Sequence, residues 1–416
     1  MKKWLSGILA MVLILSSITA ALAGGEKQKK RKQFRLGIEV LLEDRLDLIK
    51  GKRVGLITNP TGVDQKMNSI VDRLFKQPDV ELTALFGPEH GVRGSAQAGQ
   101  YVEKYTDEIT GLPVYSLYGS TKKPTPEMLE NVDILLFDIQ DVGSRFYTYI
   151  YTMALAMEAA KENGIPIVVL DRPNPISGTK VEGPVLEDPY SSFIGEYPIP
   201  VRHGMTAGEL AKLFNTEFGI GADLTVVEME GWKRNMYYDE TGLPFVLPSP
   251  NIPTLETALV YPGAALIEGT NVSEGRGTTK PFELIGAPFI NSTDLAQKLN
   301  ALNLPGVTFR AASFVPTFSK HANVLSHGVQ IHVTDRKSFR PFETGLHLVK
   351  MIHDLYPDKF QFRQPNSSGI SFFDNLTGNG SIRAGIESGK SIEEMKKEWE
   401  PEQEKFMEVR EKYLLY

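Results

Sequence analysis

The 416-residue chain contains no cysteine. That excludes disulfides, thiolate nucleophiles, cysteine-held metals and lipidation on cysteine. Beyond residue 23 it has no apolar run long enough to span a bilayer. Its 7 histidines are scattered, with no His-Glu-x-x-His, so no protein-held zinc or other metal is expected. It lacks the Gly-x-Ser-x-Gly elbow of α/β-hydrolases. No dinucleotide-binding glycine fingerprint follows the first buried run, and no cofactor is expected. Gly385 to Ser391 approaches a phosphate loop, but three residues separate its glycines where four are required. We read Ser391 to Glu394 as a helix capping box instead. A basic excess is also missing: 45 basic residues face 51 acidic ones, net −6. Nucleic-acid binding, which rests on phosphate neutralisation, is therefore not expected.

What is present begins with an export signal, Met1 to Ala23. Lys2 and Lys3 precede an apolar core from Leu5 to Ile18, and Ala21-Leu22-Ala23 forms a small-x-small cleavage site. Cleavage leaves a chain of net charge −8 with no stable membrane insertion, placed outside the cell or in the wall compartment. Residues 24–33 form a basic leader, read as a solvated charge run.

Five short apolar runs then recur: Val54 to Ile57, Leu82 to Phe86, Ile134 to Phe137, Ile167 to Leu170, and Leu224 to Val227. Runs this short and rich in Val, Ile and Leu suit strands buried on both faces. Helical patterns lie between them at Ser69 to Gln77, Thr148 to Asn163 and Thr206 to Phe218. The alternation predicts an α/β fold with a mostly parallel, doubly wound sheet. From about Tyr261 the pattern loosens into a smaller α+β region. It has half-exposed strands at Val307 to Phe309 and Val329 to Val333, and helices at Phe342 to Tyr356 and Ser391 to Tyr413. We expect the second helix to break at Pro401. The resulting division is 34–262 for the sheet domain and 263–416 for the smaller one.

Each early strand ends in a polar turn. Thr58-Asn59-Pro60-Thr61-Gly62 follows the first, and Gly87-Pro88-Glu89-His90-Gly91 the second. Asp138, Gln140, Asp141, Arg145 and Tyr147 follow the third, and Asp171-Arg172-Pro173-Asn174 the fourth. Parallel strands bring all four turns to one sheet edge, where ligands of open α/β sheets gather. Amides and carboxylates bond sugar hydroxyls, rings cover a pyranose face, and arginine pairs with an acidic substituent. Asn59 and Asn174 also suit turn caps beside proline, and Asp171-Arg172 suits a structural ion pair. A second cluster runs from Glu268 to Thr279. Its Asn271, Ser273, Glu274 and Arg276 sit among glycines that would let backbone approach a ligand.

Together these five motifs resemble the NamZ exo-β-N-acetylmuramidase family, and the resemblance covers essentially the whole mature chain. It implies removal of N-acetylmuramic acid from the non-reducing end of peptidoglycan fragments such as MurNAc-GlcNAc, in cell-wall turnover and recycling. It implies a Rossmann-like domain followed by a smaller domain, with a cleft between them. It also makes Glu89 the leading catalytic residue.

Glycoside hydrolysis ordinarily uses two carboxyl groups. On this reading Glu89 is the general acid, and His90 orients it, bonds a sugar hydroxyl or shares the proton. Glu274 is the first choice for the second carboxylate, with Asp138 and Asp141 next. The substrate's own acetamido group is an alternative nucleophile. Arg276 and Arg172, then Arg145, are candidates for the lactyl carboxylate of muramic acid. Asn59, Gln140, Tyr147, Asn174, Asn271 and Ser273 complete the expected binding set. The competing expectation is a non-catalytic sugar-binding envelope protein using the same crevice.

Overall fold

The computed structural model describes residues 34–94 and 104–416, so the expected export signal and basic leader lie outside the described residues. The first nine strands are β1 (Arg53–Thr58), β2 (Glu81–Gly87), β3 (Tyr105–Thr106), β4 (Pro113–Ser116), β5 (Ile134–Asp138), β6 (Ile167–Leu170), β7 (Glu182–Val185), β8 (Pro200–Arg202) and β9 (Leu224–Val227). Seven of them form one sheet in the order β3-β4-β2-β1-β5-β6-β9. All neighbours are parallel except β3 with β4. The five expected strands are all here. Their side chains are almost wholly buried in β1, β5 and β6, as runs without polar alternation require. The chain leaves β1 toward β2 on one side and later returns to place β5 on the other. The strand order thus reverses between β1 and β5, where Thr58 lies opposite Asp138. That reversal opens a crevice at the carboxyl edge.

The helices before this point are α1 (Gly37–Asp44), α2 (Ile70–Phe75), α3 (Pro126–Leu129), α4 (Tyr149–Glu162) and α5 (Ala207–Glu217). Thr206 caps α5, with Glu209 reciprocating, as its sequence spacing requires. Gly164 ends α4 at φ +66°, a conformation that suits glycine. Tyr149 and Tyr151 belong to α4, within the expected helix.

The remainder carries α6 (Leu255–Ala264), α7 (Ser292–Ala301), α8 (Pro341–Leu355), α9 (Phe372–Thr377), α10 (Ser381–Glu387) and α11 (Ile392–Glu411) around a three-stranded antiparallel sheet. That sheet pairs β10 (Leu284–Ala287), β12 (Ser326–Val333) and β11 (Val307–Phe314) in that order. Both long strands extend further than their apolar patches. Ser391 caps α11 through the expected box. The expected break at Pro401 does not occur: α11 runs unbroken across it. Packing on both sides outweighs the local penalty of about 3 kcal/mol. Trp399 packs edge-on to Phe342, while Phe406 and Arg410 are buried beyond the proline. α6 packs on α8 so closely that a Cβ at Gly263 would lie 1.9 Å from the Pro341 carbonyl oxygen. One hydrophobic core runs from the parallel sheet through α6 to α11. No helix among the described residues is long and apolar enough to cross a membrane.

Candidate active site

Two polar clusters occupy the carboxyl edge of the main sheet. The first lies under the ends of β1, β5 and β6 and is closed. Arg172 grips Asp138 through Nε–Oδ1 at 2.5 Å and Nη2–Oδ2 at 2.9 Å, and both side chains are buried. The ion pair expected within Asp171-Arg172 is thus made across strands instead. Asp171 turns to α5, accepting from the Thr206 hydroxyl, the Gly208 amide and the Tyr416 hydroxyl. Asn59 Oδ1 accepts from the Thr61 amide, and the Gln140 amide donates to Thr61 Oγ1 at 2.9 Å. Gln140 Nε2 bonds the carbonyls of Asp141 and Pro173, and Asn174 Nδ2 that of Met205. Asp141 Oδ2 accepts from Gly143 N at 2.7 Å and lies 3.4 Å from buried His203 Nε2. Arg145 is fully buried and bonds the carbonyls of Pro184, Ile199 and Leu376.

The second cluster surrounds a cavity of about 180 Å³ beside the end of β2. Glu89 and His90 form one wall. The turn closes through Gly91 N to Pro88 O at 2.9 Å, with His90 at φ +76° and Gly91 at +73°. A Cβ at Gly87 would meet Val92 N at 2.9 Å, so only glycine lets the turn fold back on its strand. Glu89 is half-buried, and the Tyr118 hydroxyl hydrogen-bonds it. Burial and the Glu89 charge push Tyr118 up to about 12, so it stays a donor. The segment Phe146 to Tyr149 lines the cavity from the N-terminus of α4. The Tyr149 hydroxyl donates to the Pro248 carbonyl at 2.6 Å and fixes the loop that presents Ser249 and Asn251. Buried Asn251 Nδ2 has no hydrogen-bond partner among the described residues. Tyr147, Tyr149 and Tyr261 pack edge to face with centroids 4.9 and 5.8 Å apart, and burial holds all three phenols above their ordinary value.

The rest of the lining comes from the end of α6 and the loop after it. Tyr261, Glu268, Arg276 and Phe282 face the cavity. Arg276 Nη2 lies 2.8 Å from Glu268 Oε1 and its Nε 3.2 Å from Glu274 Oε1. Its Nη1 makes no protein hydrogen bond among the described residues. The guanidinium also lies over the Phe282 ring, 5.2 Å from its centroid. Lys320 Nζ pairs with Glu274 Oε2 at 3.0 Å and donates to the Ile267 and Val272 carbonyls. Burial opposes the Arg276 charge, but Glu268 and Glu274 outweigh it and hold the guanidinium above its ordinary value. For Glu268, burial raises the carboxyl, Arg276 opposes and Glu274 adds to the rise, leaving it above the usual carboxylate range.

Of the residues chosen from sequence, Glu89, His90, Tyr147 and Arg276 meet at this cavity. Glu274 stands behind it, buried between Arg276 and Lys320. Asn271 bonds the Lys359 carbonyl and the Gln361 amide, and Ser273 Oγ accepts from Gly275 N. The glycines of this loop contact protein rather than open space. Gly269 abuts Phe373, Gly275 the Leu284 carbonyl, and Gly277 the backbone of Phe318. Their conformational freedom therefore serves close packing. Glu268, Asn251, Tyr118 and Tyr261 were not singled out individually. Glu268 opens the motif that was read, and Asn251 sits between Pro250 and Pro253 in a turn signal that was available.

Family models cover almost all of residues 54–416. The model described as exo-β-N-acetylmuramidase NamZ, N-terminal, matches residues 54–256, and its C-terminal counterpart matches 259–416. The chain belongs to the NamZ family. The peptidoglycan β-N-acetylmuramidase NamZ of Bacillus subtilis (strain 168) is 61% identical over the full length of both chains. Two solved structures of DUF1343 family proteins from Bacteroides fragilis NCTC 9343 share the fold. One has a TM-score of 0.86 at 43% identity and the other 0.74 at 33%. Each match covers 92% of this chain and 99% of the other. The NamZ family models meet between residues 256 and 259, at the start of α6, and the cavity takes one wall from each side of that junction.

Proposed function

We propose that this chain is an exo-acting glycoside hydrolase that removes N-acetylmuramic acid from the non-reducing end of peptidoglycan fragments outside the cell, in wall turnover and recycling. The observation that carries the reading is the pair of carboxylates, Glu89 and Glu268, lining one aromatic-walled cavity that also presents an arginine. Glu89 protonates the glycosidic oxygen as the bond from C1 to that oxygen breaks. The leaving sugar takes the proton, water supplies hydroxide to C1, and the proton left by that water restores Glu89. Tyr118 orients the Glu89 carboxyl. Glu268, paired with Arg276, offsets in its ionised form the positive charge that develops on the sugar ring. Arg276 Nη1 faces the lactyl carboxylate, and Asn251 Nδ2 bonds a hydroxyl or the acetamido oxygen. The similarity to the Bacillus subtilis β-N-acetylmuramidase supports the substrate class, and the expected export signal supports the location.

The test is release of free sugar from a chromogenic β-N-acetylmuraminide, with the matching glucosaminide as control, and from glycan chains labelled at the reducing end. Turnover of the muraminide alone, with single muramic acid units leaving the unlabelled end, is expected. Internal cleavage of the chains would contradict exo action. Binding of the fragments without turnover would replace the hydrolase with a sugar-binding protein.

A further inference from the structure

A second cavity of about 260 Å³ lies at the carboxyl end of β4, one strand beyond Glu89. Its connection to the Glu89 cavity is physical. β4 pairs with β2 in a register that sets Tyr115 against Phe86 and Ser116 against Gly87. Ser116 Oγ accepts from Tyr118 N at 3.3 Å, and Tyr118 is the residue whose hydroxyl bonds Glu89. The loop continues to Lys122, whose ammonium lies 4.1 Å from the centroid of Phe193, next to Ile194 of the Glu89 cavity. One loop, 118–125, therefore lines the second cavity through Thr121 and Thr125 and reaches Glu89 through Tyr118.

The second cavity holds a preset cation. Lys104 Nζ sits 4.7 Å from the centroid of Tyr115, whose ring in turn stacks on buried Phe86 at 5.5 Å. An ammonium held on an aromatic ring loses less freedom on meeting an anion than a free lysine does. Thr121 and Thr125 add hydroxyls to the lining. The carboxylate of Glu127 also lines it, and the Thr125 hydroxyl holds it below its ordinary value, so a bound anion must lie on the Lys104 side.

We infer that this cavity is a leaving-group subsite that binds the part of the glycan beyond the scissile bond, with Lys104 pairing a carboxylate carried by a later sugar of the chain. The inference rests on the muramidase reading above. It assigns Lys104 to affinity for longer fragments and leaves the chemistry to Glu89.

The experiment compares wild type and Lys104→Glu on three substrates: the chromogenic muraminide, the disaccharide MurNAc-GlcNAc, and the tetrasaccharide (MurNAc-GlcNAc)₂. Only the tetrasaccharide carries a carboxylate beyond the first sugar after the scissile bond. Wild type is expected to show a lower KM for the tetrasaccharide than for the disaccharide. Lys104→Glu should raise KM for the tetrasaccharide by roughly fivefold, the size of an exposed ion pair near 1 kcal/mol, at unchanged kcat. Its kinetics on the other two substrates should match wild type. An unchanged tetrasaccharide KM, or equal losses on all three, would overturn the subsite while leaving the muramidase reading standing. A wild type that cleaves none of them overturns both.

Discussion

The two polar clusters at the sheet edge contain the same kinds of residue and serve opposite ends. Under β1, β5 and β6 the buried Asp138 and Arg172 pair with each other, and the buried Gln140 and Asn174 donate to nearby backbone carbonyls. Beside β2, Glu89, Glu268, Arg276 and Asn251 border an open volume, with a guanidinium nitrogen and an amide nitrogen left unmatched among the described residues. Polar atoms that are already satisfied hold strand ends in place. Polar atoms left unmatched in a lined cavity are available to a ligand. Gln140 Oε1 and Asp141 Oδ1 in the closed cluster also lack partners among the described residues, so access to an open volume, more than residue type, separates framework from site.

The largest expected effect is on chemistry. Glu268→Gln removes the anion that offsets the charge on the sugar ring, and kcat on the muraminide should fall by about 10²-fold or more. Thermal stability should stay close to wild type, because the substitution leaves no buried charge of its own. A variant with wild-type kcat would move the second carboxylate elsewhere.

Arg172→Met should act on the framework instead. It strands the buried Asp138 carboxylate, so chemical denaturation should show a loss of about 3–5 kcal/mol. Activity per folded molecule should persist, and its disappearance at full stability would place Arg172 at the substrate.

A pH profile sharpens the view of the cavity wall. Arg276 lowers the Glu268 carboxyl, against burial and Glu274, which raise it. Turnover that needs ionised Glu268 is lost as pH falls through its folded value. Arg276→Gln removes the lowering partner, so the acid limb of kcat should move upward. A downward shift would contradict the assigned charge state.

The smallest expected effect concerns stability in the closed cluster. Burial, aided by the Glu209 charge, pushes Asp171 up to about 7, against about 4 for an unfolded carboxylate. Between those values the folded chain holds a proton that the unfolded chain has released. Stability is therefore greatest below about pH 4 and falls as pH rises to 7, beyond which this contribution is constant. Glu196, also raised to about 7 by burial and by Glu158, adds a slope of the same sign. Asp107, held near 2 chiefly by Arg93, acts only in more acidic solution. Asp171→Asn should reduce the difference in Tm between pH 5 and 7.5 by about half, and an unchanged difference would remove Asp171 from the account.

Much of the architecture was legible in the sequence because its strands are buried on both faces. Val54 to Ile57 and Ile134 to Phe137 stand out as apolar blocks of strand length. β4, β7 and β8 did not, being short and each carrying a proline. α6 was hidden for another reason: nearly all of its residues are buried, so it shows no contrast between two faces, and Pro262 argued against it. At the site, Glu89 was legible because glycine and proline isolate it at a strand end. Glu268 was overshadowed by Glu274, whose burial depends on Lys320, a partner distant in sequence. The pairing of Arg172 with Asp138 rather than Asp171 reflects strand order, which local spacing does not encode.

The most direct test sets Glu89→Gln beside Asp138→Asn, measuring kcat on the chromogenic muraminide and Tm for each. Glu89→Gln should lose about 10²- to 10⁴-fold in kcat at a Tm close to wild type. Asp138→Asn should lose Tm while its folded fraction keeps turning over. The reverse pattern, an active Glu89→Gln and a stable but inactive Asp138→Asn, would place the chemistry under β5 and contradict the division drawn between the two clusters.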